Sequence, residues 1–191
     1  MPFVNNAMSL ELTSDYMNYP IVAFLGDRGD GKTVSMTALA YAYQKLGANI
    51  YANFTLIGIP YTKITFQDLA DFPEYLKDGL VLLDEGHIGA DAYAFFNSRV
   101  KNISKFATQT RKKRLTVFYS TQVLTTVAKR LRTMTNYICE CNKTEIKGVT
   151  DIYIYDRSLL KNSGFVKNII IDGRPFFGYY DTNEIIELDE E

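Results

Sequence analysis

Eight consecutive residues have the types and spacing that hold phosphate groups. They match the pattern G-x-x-x-x-G-K-[ST] in full. Glycines let backbone N–H groups face phosphate oxygens, the lysine reaches the β- and γ-phosphates, and the threonine hydroxyl suits Mg²⁺. The stretch therefore predicts a loop that binds a nucleoside triphosphate and Mg²⁺, made of these residues: Gly26, Asp27, Arg28, Gly29, Asp30, Gly31, Lys32 and Thr33.

Two adjacent acidic residues follow a short apolar run. Residues 80–83 are Leu-Val-Leu-Leu, and Asp84 and Glu85 come next. A buried parallel strand would deliver both carboxylates to the carboxyl edge of the sheet, beside the phosphate loop. We assign Asp84 to the outer shell of Mg²⁺ and Glu85 to the general base that polarises the attacking water. The pair therefore predicts hydrolysis of the bound triphosphate.

A polar triplet, Ser120-Thr121-Gln122, closes a later apolar run. At the carboxyl edge of the sheet it would lie near the γ-phosphate. Gln122 is suited to hydrogen-bond both that phosphate and the attacking water, and thereby to sense hydrolysis. The alternative is an ordinary polar turn.

A basic cluster at residues 111–114, Arg-Lys-Lys-Arg, precedes the same run. Three interpretations are open for it. The first is a solvated helix end. The second is a salt-dependent contact with nucleic-acid phosphates, and the third is an arginine finger inserted into the site of a neighbouring subunit. The last two interpretations are compatible, and both need a ring of subunits.

Two other phosphate-loop classes fit less well. A kinase must keep water out of its site, so a water-activating Glu85 would be counterproductive there. A GTPase reads guanine with Asn-Lys-x-Asp, whereas residues 142–145 are Asn-Lys-Thr-Glu and follow a Cys-x-Cys strand. We interpret that similarity as coincidence, and keep a monomeric kinase as an alternative function.

Charge is unevenly distributed along the chain. The net charge is −1, yet residues 92–138 contain no Asp or Glu and many Lys and Arg. This asymmetry predicts a basic face for a polyanion or an acidic neighbouring subunit.

Cys139 and Cys141 are interpreted as reduced packing residues, since two further zinc ligands are missing. Without an apolar run of membrane-spanning length, we expect a soluble protein in a reducing compartment.

Alternating apolar runs and helical segments predict an α/β fold, with a mostly parallel sheet flanked by helices and antiparallel strands added at one edge. We expect an N-terminal arm at 1–18, one ATPase domain at 19–186 and an acidic tail at 187–191. Predicted strands are 21–25, 49–54, 80–83, 115–119, 137–141, 152–155, 167–171 and 176–180, the last two forming a hairpin around Asp172-Gly173. Predicted helices are 33–46 and 66–77.

The phosphate loop, the Asp-Glu strand end and the Ser-Thr-Gln strand end together resemble the FtsK–HerA superfamily of nucleic-acid-pumping ATPases. Within it the chain is similar to the genome-packaging ATPases of viruses with internal membranes, such as the Sulfolobus turreted icosahedral viruses. Zot-like assembly proteins of filamentous phages are near relatives. The run Asp84-Glu85-Gly86-His87 and residues 177–184, Phe-Gly-Tyr-Tyr-Asp-Thr-Asn-Glu, are also similar to patterns in these viral proteins.

The resemblance implies a RecA-like core, ATP and Mg²⁺ as ligands, and a homo-oligomeric ring, commonly a hexamer, around double-stranded DNA. It also implies an arginine about ten residues before the sensor glutamine that acts in trans. Here that position is Arg111, with Arg99 and Arg114 as fallbacks. The implied partners include capsid or portal-vertex proteins, and the implied location is the host cytoplasm or the virion. A Zot-like assembly or secretion ATPase, acting on protein or single-stranded DNA, is the alternative.

Overall fold

A computed structural model describes residues 19–84, 109–127, 129–158 and 164–181. Within these ranges eight strands form one sheet in the order β3-β2-β4-β5-β1-β6-β7-β8. The strands are β1 Ile21–Leu25, β2 Asn49–Ala52, β3 Thr62–Lys63, β4 Gly79–Leu83, β5 Leu115–Thr121, β6 Tyr137–Lys143, β7 Val149–Asp156 and β8 Phe165–Asp172. The helices within these ranges include α1 Lys32–Lys45, α2 Phe66–Asp71 and α3 Lys129–Met134.

The sheet divides into a parallel part and an antiparallel part. Strands β3, β2, β4, β5, β1 and β6 are all paired in parallel, whereas β7 pairs with β6 and β8 with β7 in antiparallel fashion. This arrangement confirms the predicted fold class, including the antiparallel addition at one edge. The carboxyl ends of β1, β4 and β5 therefore lie side by side.

Alternation along the central strands separates two apolar cores. Val22 and Phe24 point into a core on the face covered by α1, whereas Ile21 and Ala23 point into a core on the opposite face. Strands β4 and β5 are buried along their whole length, as expected for parallel strands covered on both sides. The buried centre of the sheet thus holds the strand ends that carry the predicted site residues.

The second helix is shorter than predicted. Thr65 and Asp68 form a capping box at its start. The helix nevertheless ends at Asp71, because Phe72 adopts a left-handed conformation with φ 50° and Pro73 follows it. The residue before a proline is disfavoured in the helical region, so the predicted continuation to residue 77 was wrong.

The predicted hairpin between 167–171 and 176–180 was also wrong. Strand β8 pairs with β7 instead, and residues Arg174–Phe176 form a 3₁₀ turn. A two-residue Asp-Gly hairpin needs positive φ, but Gly173 has φ −82°. The Asp172 carboxylate accepts hydrogen bonds from the backbone and guanidinium N–H groups of Arg174. These bonds and Pro175 favour the turn.

Several predictions fall on residues that the structure does not describe. The arm at 1–18, Glu85, Arg99 and the tail at 187–191 lie outside the described ranges. Among the residues described, no helix has the length and hydropathy needed to cross a membrane.

Candidate nucleotide-binding site

The predicted phosphate loop connects β1 to α1 at the carboxyl edge of the parallel sheet. Gly31 has φ +87°, and a Cβ placed there would lie 1.9 Å from the Thr150 hydroxyl oxygen on β7. Both its backbone conformation and this close approach require glycine. The Lys32 ammonium lies inside the loop, where it donates to the carbonyl oxygens of Gly26 at 2.8 Å and Asp27 at 3.0 Å.

The first turn of the loop is closed by one of its own aspartates. The Asp30 carboxylate accepts a hydrogen bond of 2.6 Å from the backbone N–H of Asp27, and the Asp30 N–H donates to the Asp27 carbonyl at 3.2 Å. Arg28 and Gly29, between them, are exposed. The loop is therefore shaped by internal hydrogen bonds, with its tip towards solvent.

Asp84 lies at the end of β4 and joins three elements. One carboxylate oxygen accepts a 2.9 Å hydrogen bond from the Thr33 hydroxyl, and the other accepts one of 2.5 Å from the Ser120 hydroxyl. The backbone N–H of Asp84 donates to the Asn53 side-chain oxygen at 2.9 Å. The predicted proximity of the acidic strand end to the phosphate loop is thus seen directly. The triplet that contains Ser120 was predicted at this edge of the sheet, but the hydrogen bond from Ser120 to Asp84 and the contribution of Asn53 were not.

This arrangement fits Mg²⁺ by its donor chemistry. Thr33 and Asp84 offer oxygen atoms, which are the ligands that Mg²⁺ prefers. Among the described residues there is no group of three or more His, Cys, Asp or Glu side chains that would hold a metal. Mg²⁺ in nucleotide sites is commonly bound by one or two protein oxygens, substrate phosphates and water. The oxygens of Thr33 and Asp84 are therefore enough protein ligands for such a site.

Gln122 lines the same cleft as Lys32, Thr33 and Asp84. It follows β5 and is exposed, so the structure brings together three of the predicted features. Glu85 lies outside the described residues. The general base is therefore assigned from the sequence alone.

Arg111 lies in a different cleft. Together with Pro20 and Asn136, which precede β1 and β6, it lines a cavity of about 670 Å³ at the amino edge of the sheet. A five-residue strand separates the two edges by roughly 17 Å. Arg111 is exposed and does not join the phosphate site of its own chain. Its fallback Arg114 forms an ion pair with Asp78.

The nucleotide cleft has a second wall that the sequence did not reveal. Its volume is about 720 Å³, within the range of small-molecule sites. The second wall comes from the turn between β6 and β7 and from the segment after β8. Lining residues in these two segments are Lys143, Thr144, Ile146, Lys147, Gly148, Val149, Thr150, Phe177, Tyr180 and Asp181. Two sequence signals fall on this wall: the Asn142–Glu145 similarity, interpreted above as coincidence, and the run at residues 177–184 that resembles the viral proteins. Neither of them indicated a wall of the cleft.

Tyr180 joins this second wall to the segment that follows β2. It forms an isolated antiparallel bridge with Leu56, and the Ile57 N–H donates to the Tyr179 carbonyl at 2.7 Å. Burial, and to a lesser extent the nearby Asp84 carboxylate, raise the pKa of the Tyr180 phenol. Tyr180 is therefore a protonated group within the electrostatic reach of Asp84.

The two cysteines pack beneath the loop and are free, as predicted. Burial raises the pKa of Cys139 well above its usual value and the pKa of Cys141 to about 12. Both thiols are therefore protonated at neutral pH and are poor nucleophiles. A Cβ at Gly26 would lie 2.6 Å from the Cys141 carbonyl oxygen, so β6 supports the start of the loop directly.

Known structures share this architecture. No family model matches the sequence, and no curated protein matches it either. The fold is that of RecA-like P-loop proteins. The chain is similar to the N-terminal domain of zonular occludens toxin from Neisseria meningitidis, with a TM-score of 0.59 and 18% identity over 85% of this chain and 98% of that one.

Two further solved structures agree with the P-loop fold. The genome packaging NTPase of Sulfolobus turreted icosahedral virus 2, in complex with AMP, has a TM-score of 0.53 and 14% identity over 78% of this chain and 96% of that one. The flagellar accessory protein FlaH from Methanocaldococcus jannaschii has a TM-score of 0.50 and 13% identity over 79% of this chain and 84% of that one. The structural resemblance to packaging and Zot-like proteins expected from the motifs is thus confirmed.

Proposed function

We propose that this protein is an ATP-hydrolysing motor that translocates double-stranded DNA, and that it packages a viral genome into a preformed capsid. The observation that carries the proposal is the Asp84 carboxylate, which accepts hydrogen bonds from both Thr33 and Ser120 beside the phosphate loop. A strand-end acid joined in this way to the loop hydroxyl is the arrangement needed to hold Mg²⁺ at a γ-phosphate.

Each site residue has a role in the proposed hydrolysis. On ATP binding the Lys32 ammonium exchanges its two loop carbonyls for phosphate oxygens. Bound Mg²⁺ would neutralise charge on the β- and γ-phosphates, held by the Thr33 hydroxyl and, through water, by Asp84. Glu85 takes a proton from the attacking water, and Gln122 orients that water and contacts the γ-phosphate.

Arg111 is proposed to complete the site of a neighbouring subunit. Its exposed position at the amino edge, away from its own phosphate loop, supports a role in trans. An arginine inserted at the γ-phosphate would stabilise the charge that develops during transfer. This role requires a ring, for which we propose a hexamer.

The basic stretch from residue 92 to residue 138 is proposed to contact the DNA backbone. The absence of acidic residues from this stretch supports contact with a polyanion. A structurally similar chain is a genome packaging NTPase, which supports action at a capsid or portal vertex. We propose that the protein works in the host cytoplasm or in the virion.

A second candidate is a Zot-like assembly or secretion ATPase that acts on protein or single-stranded DNA. The similarity to the zonular occludens toxin domain, which extends over 98% of that chain, favours it. The two candidates share the nucleotide site and differ in the partner that stimulates it. A monomeric kinase would instead be stimulated by a small acceptor and would need no second subunit.

The decisive experiment measures ATP turnover with and without duplex DNA, beside a mass measurement of the oligomer. We expect a ring and DNA-stimulated turnover, with stimulation falling steeply as salt rises. Stimulation by single-stranded DNA alone, or turnover indifferent to any DNA, would favour the second candidate. A monomer stimulated by a small acceptor would favour the kinase.

Subunit mixing tests the role of Arg111. Neither Arg111→Ala nor Glu85→Gln rings should turn over ATP well, but rings mixed from the two should recover some activity. In a mixed ring an intact Arg111 can face an intact Glu85. No recovery in rings shown to be mixed would contradict a finger in trans.

A further inference from the structure

Two exposed apolar side chains lie on the second wall of the nucleotide cleft. Ile146, in the turn between β6 and β7, is 57% exposed, and Phe177, after β8, is 44% exposed. Both line the cleft that contains Lys32 and Asp84. Apolar surface next to a phosphate site is suited to the one apolar and planar part of a nucleotide, which is its base.

Phe177 is held in place by a glycine. A Cβ at Gly148 would lie 2.4 Å from Cζ of Phe177, and Gly148 has φ +84°, so any larger residue there would displace the ring. The Gly173 N–H donates to the Gly148 carbonyl at 2.8 Å. This bond ties the segment that carries Phe177 to the turn that carries Ile146.

The turn that carries Ile146 is ordered by one hydroxyl. The Thr144 hydroxyl oxygen lies 3.1 Å and 3.0 Å from the carbonyl oxygens of Ile146 and Val149, and it accepts from the Ile146 N–H at 3.2 Å. The Thr144 hydroxyl therefore shapes the turn. It is not available to read the edge of a base.

Both segments are also fixed to the phosphate side. Thr150, which follows the turn, packs against Gly31 of the loop, and Gly173 packs against Val34 in the first turn of α1. The distance between the two walls is therefore set by side-chain contacts in the folded chain. Such a pre-formed cleft binds its ligand with little ordering cost.

We propose that the base of the bound nucleoside triphosphate lies against Ile146 and stacks on Phe177. This inference rests on the proposed triphosphate site and adds a base subsite to it. Stacking is tolerant of base identity, because every base has a π-face. Adenine and guanine nucleotides are thus held by the same contacts.

Calorimetry with three ligands tests the subsite. ATP, GTP and inorganic tripolyphosphate are titrated, each with Mg²⁺, into wild type, Phe177→Ala and Ile146→Ala. We expect Phe177→Ala to lower the affinities for ATP and GTP by similar factors of about 10-fold. Ile146→Ala should lower both affinities by a smaller factor. Tripolyphosphate affinity should be unchanged, which also shows that the variants are folded.

Phe165→Ala is the matched control, because Phe165 is a 51% exposed phenylalanine on β8 that does not line the cleft. Unchanged ATP affinity in Phe177→Ala, or an equal loss for tripolyphosphate and ATP, would overturn the base subsite. Lys32→Ala separates this proposal from the proposed function, because it should lower the affinity for all three ligands. If Lys32→Ala lowers none of these affinities, the assignment of the triphosphate site itself is wrong.

Discussion

The two walls of the nucleotide cleft are built in different ways. On the phosphate wall the Lys32 ammonium donates to two loop carbonyls at 2.8 and 3.0 Å, and the Thr33 hydroxyl donates to the Asp84 carboxylate at 2.9 Å. On the opposite wall Ile146 and Phe177 are exposed apolar groups. Phe177 packs against Gly148, and the Thr144 hydroxyl shapes the turn that carries Ile146. The first wall is polar and held by hydrogen bonds, whereas the second is apolar and held by packing.

This difference explains what each wall is able to recognise. Phosphate charge needs fixed donors and a cation, and such a set loses its function when one member is removed. A base needs surface and shape, so its wall tolerates substitution with graded losses. We therefore expect the phosphate wall to control turnover and the opposite wall to control affinity.

The largest effect is expected for the general base. Glu85→Gln should lower the turnover rate by about 10² to 10⁴-fold, whereas ATP affinity should stay near that of wild type, because the amide has the size of the acid but cannot take a proton. Turnover and calorimetry are measured together. Glu74→Gln, at an exposed position, is the control, and unchanged turnover in Glu85→Gln would exclude Glu85 as the base.

A smaller effect is expected for the hydrogen bond that positions the Asp84 carboxylate. Ser120→Ala removes the hydrogen bond to Asp84 and should raise the Mg²⁺ concentration for half-maximal turnover by about 10-fold. Thr116→Val on the same strand is the matched control, since the buried Thr116 hydroxyl has no hydrogen-bond partner among the described residues. Equal Mg²⁺ requirements for the two variants would show that Ser120 does not position Asp84.

The smallest effect concerns the contact that joins the two walls. Gly29 and Gly31 have similar φ values of +89° and +87°, but only Gly31 has a neighbour, Thr150, within 4 Å of an added Cβ. Gly31→Ala should therefore destabilise the fold by about 1 to 3 kcal/mol more than Gly29→Ala, as measured by denaturant unfolding. Thr150→Ala should recover part of that difference, and equal losses at the two glycines would contradict the contact.

The parallel part of the fold was predictable because its signals are local. The strand Ile21–Leu25 was predicted with its observed bounds, and Asp84 was correctly expected beside the loop, since an apolar run ending in polar groups identifies a strand end. The segment 176–180 was mispredicted as a strand, because its turn depends on Arg174 binding Asp172. The Asp172-Gly173 pair, taken without that contact, is typical of a hairpin turn, which is why the prediction was wrong.

The base wall was not predictable for a related reason. Ile146 carries no motif, and the run at 177–184 that contains Phe177 indicated a resemblance but no contact with the nucleotide. The proximity of the two residues arises from the pairing of β7 with both β6 and β8. Asn53 was missed as well, although it contacts the backbone of Asp84, because a single amide at a strand end has no characteristic spacing. Tertiary pairing, which the sequence pattern does not specify, decides these positions.

The most direct test of the account is ATP turnover by wild type, Lys32→Ala and Lys45→Ala, each measured in Mg²⁺ and in excess chelator. Lys45 is exposed at the end of α1 and serves as the matched control. We predict Mg²⁺-dependent turnover in wild type and Lys45→Ala, and turnover at background in Lys32→Ala. Turnover in Lys32→Ala equal to that of wild type, or turnover that persists without divalent metal, would contradict the account.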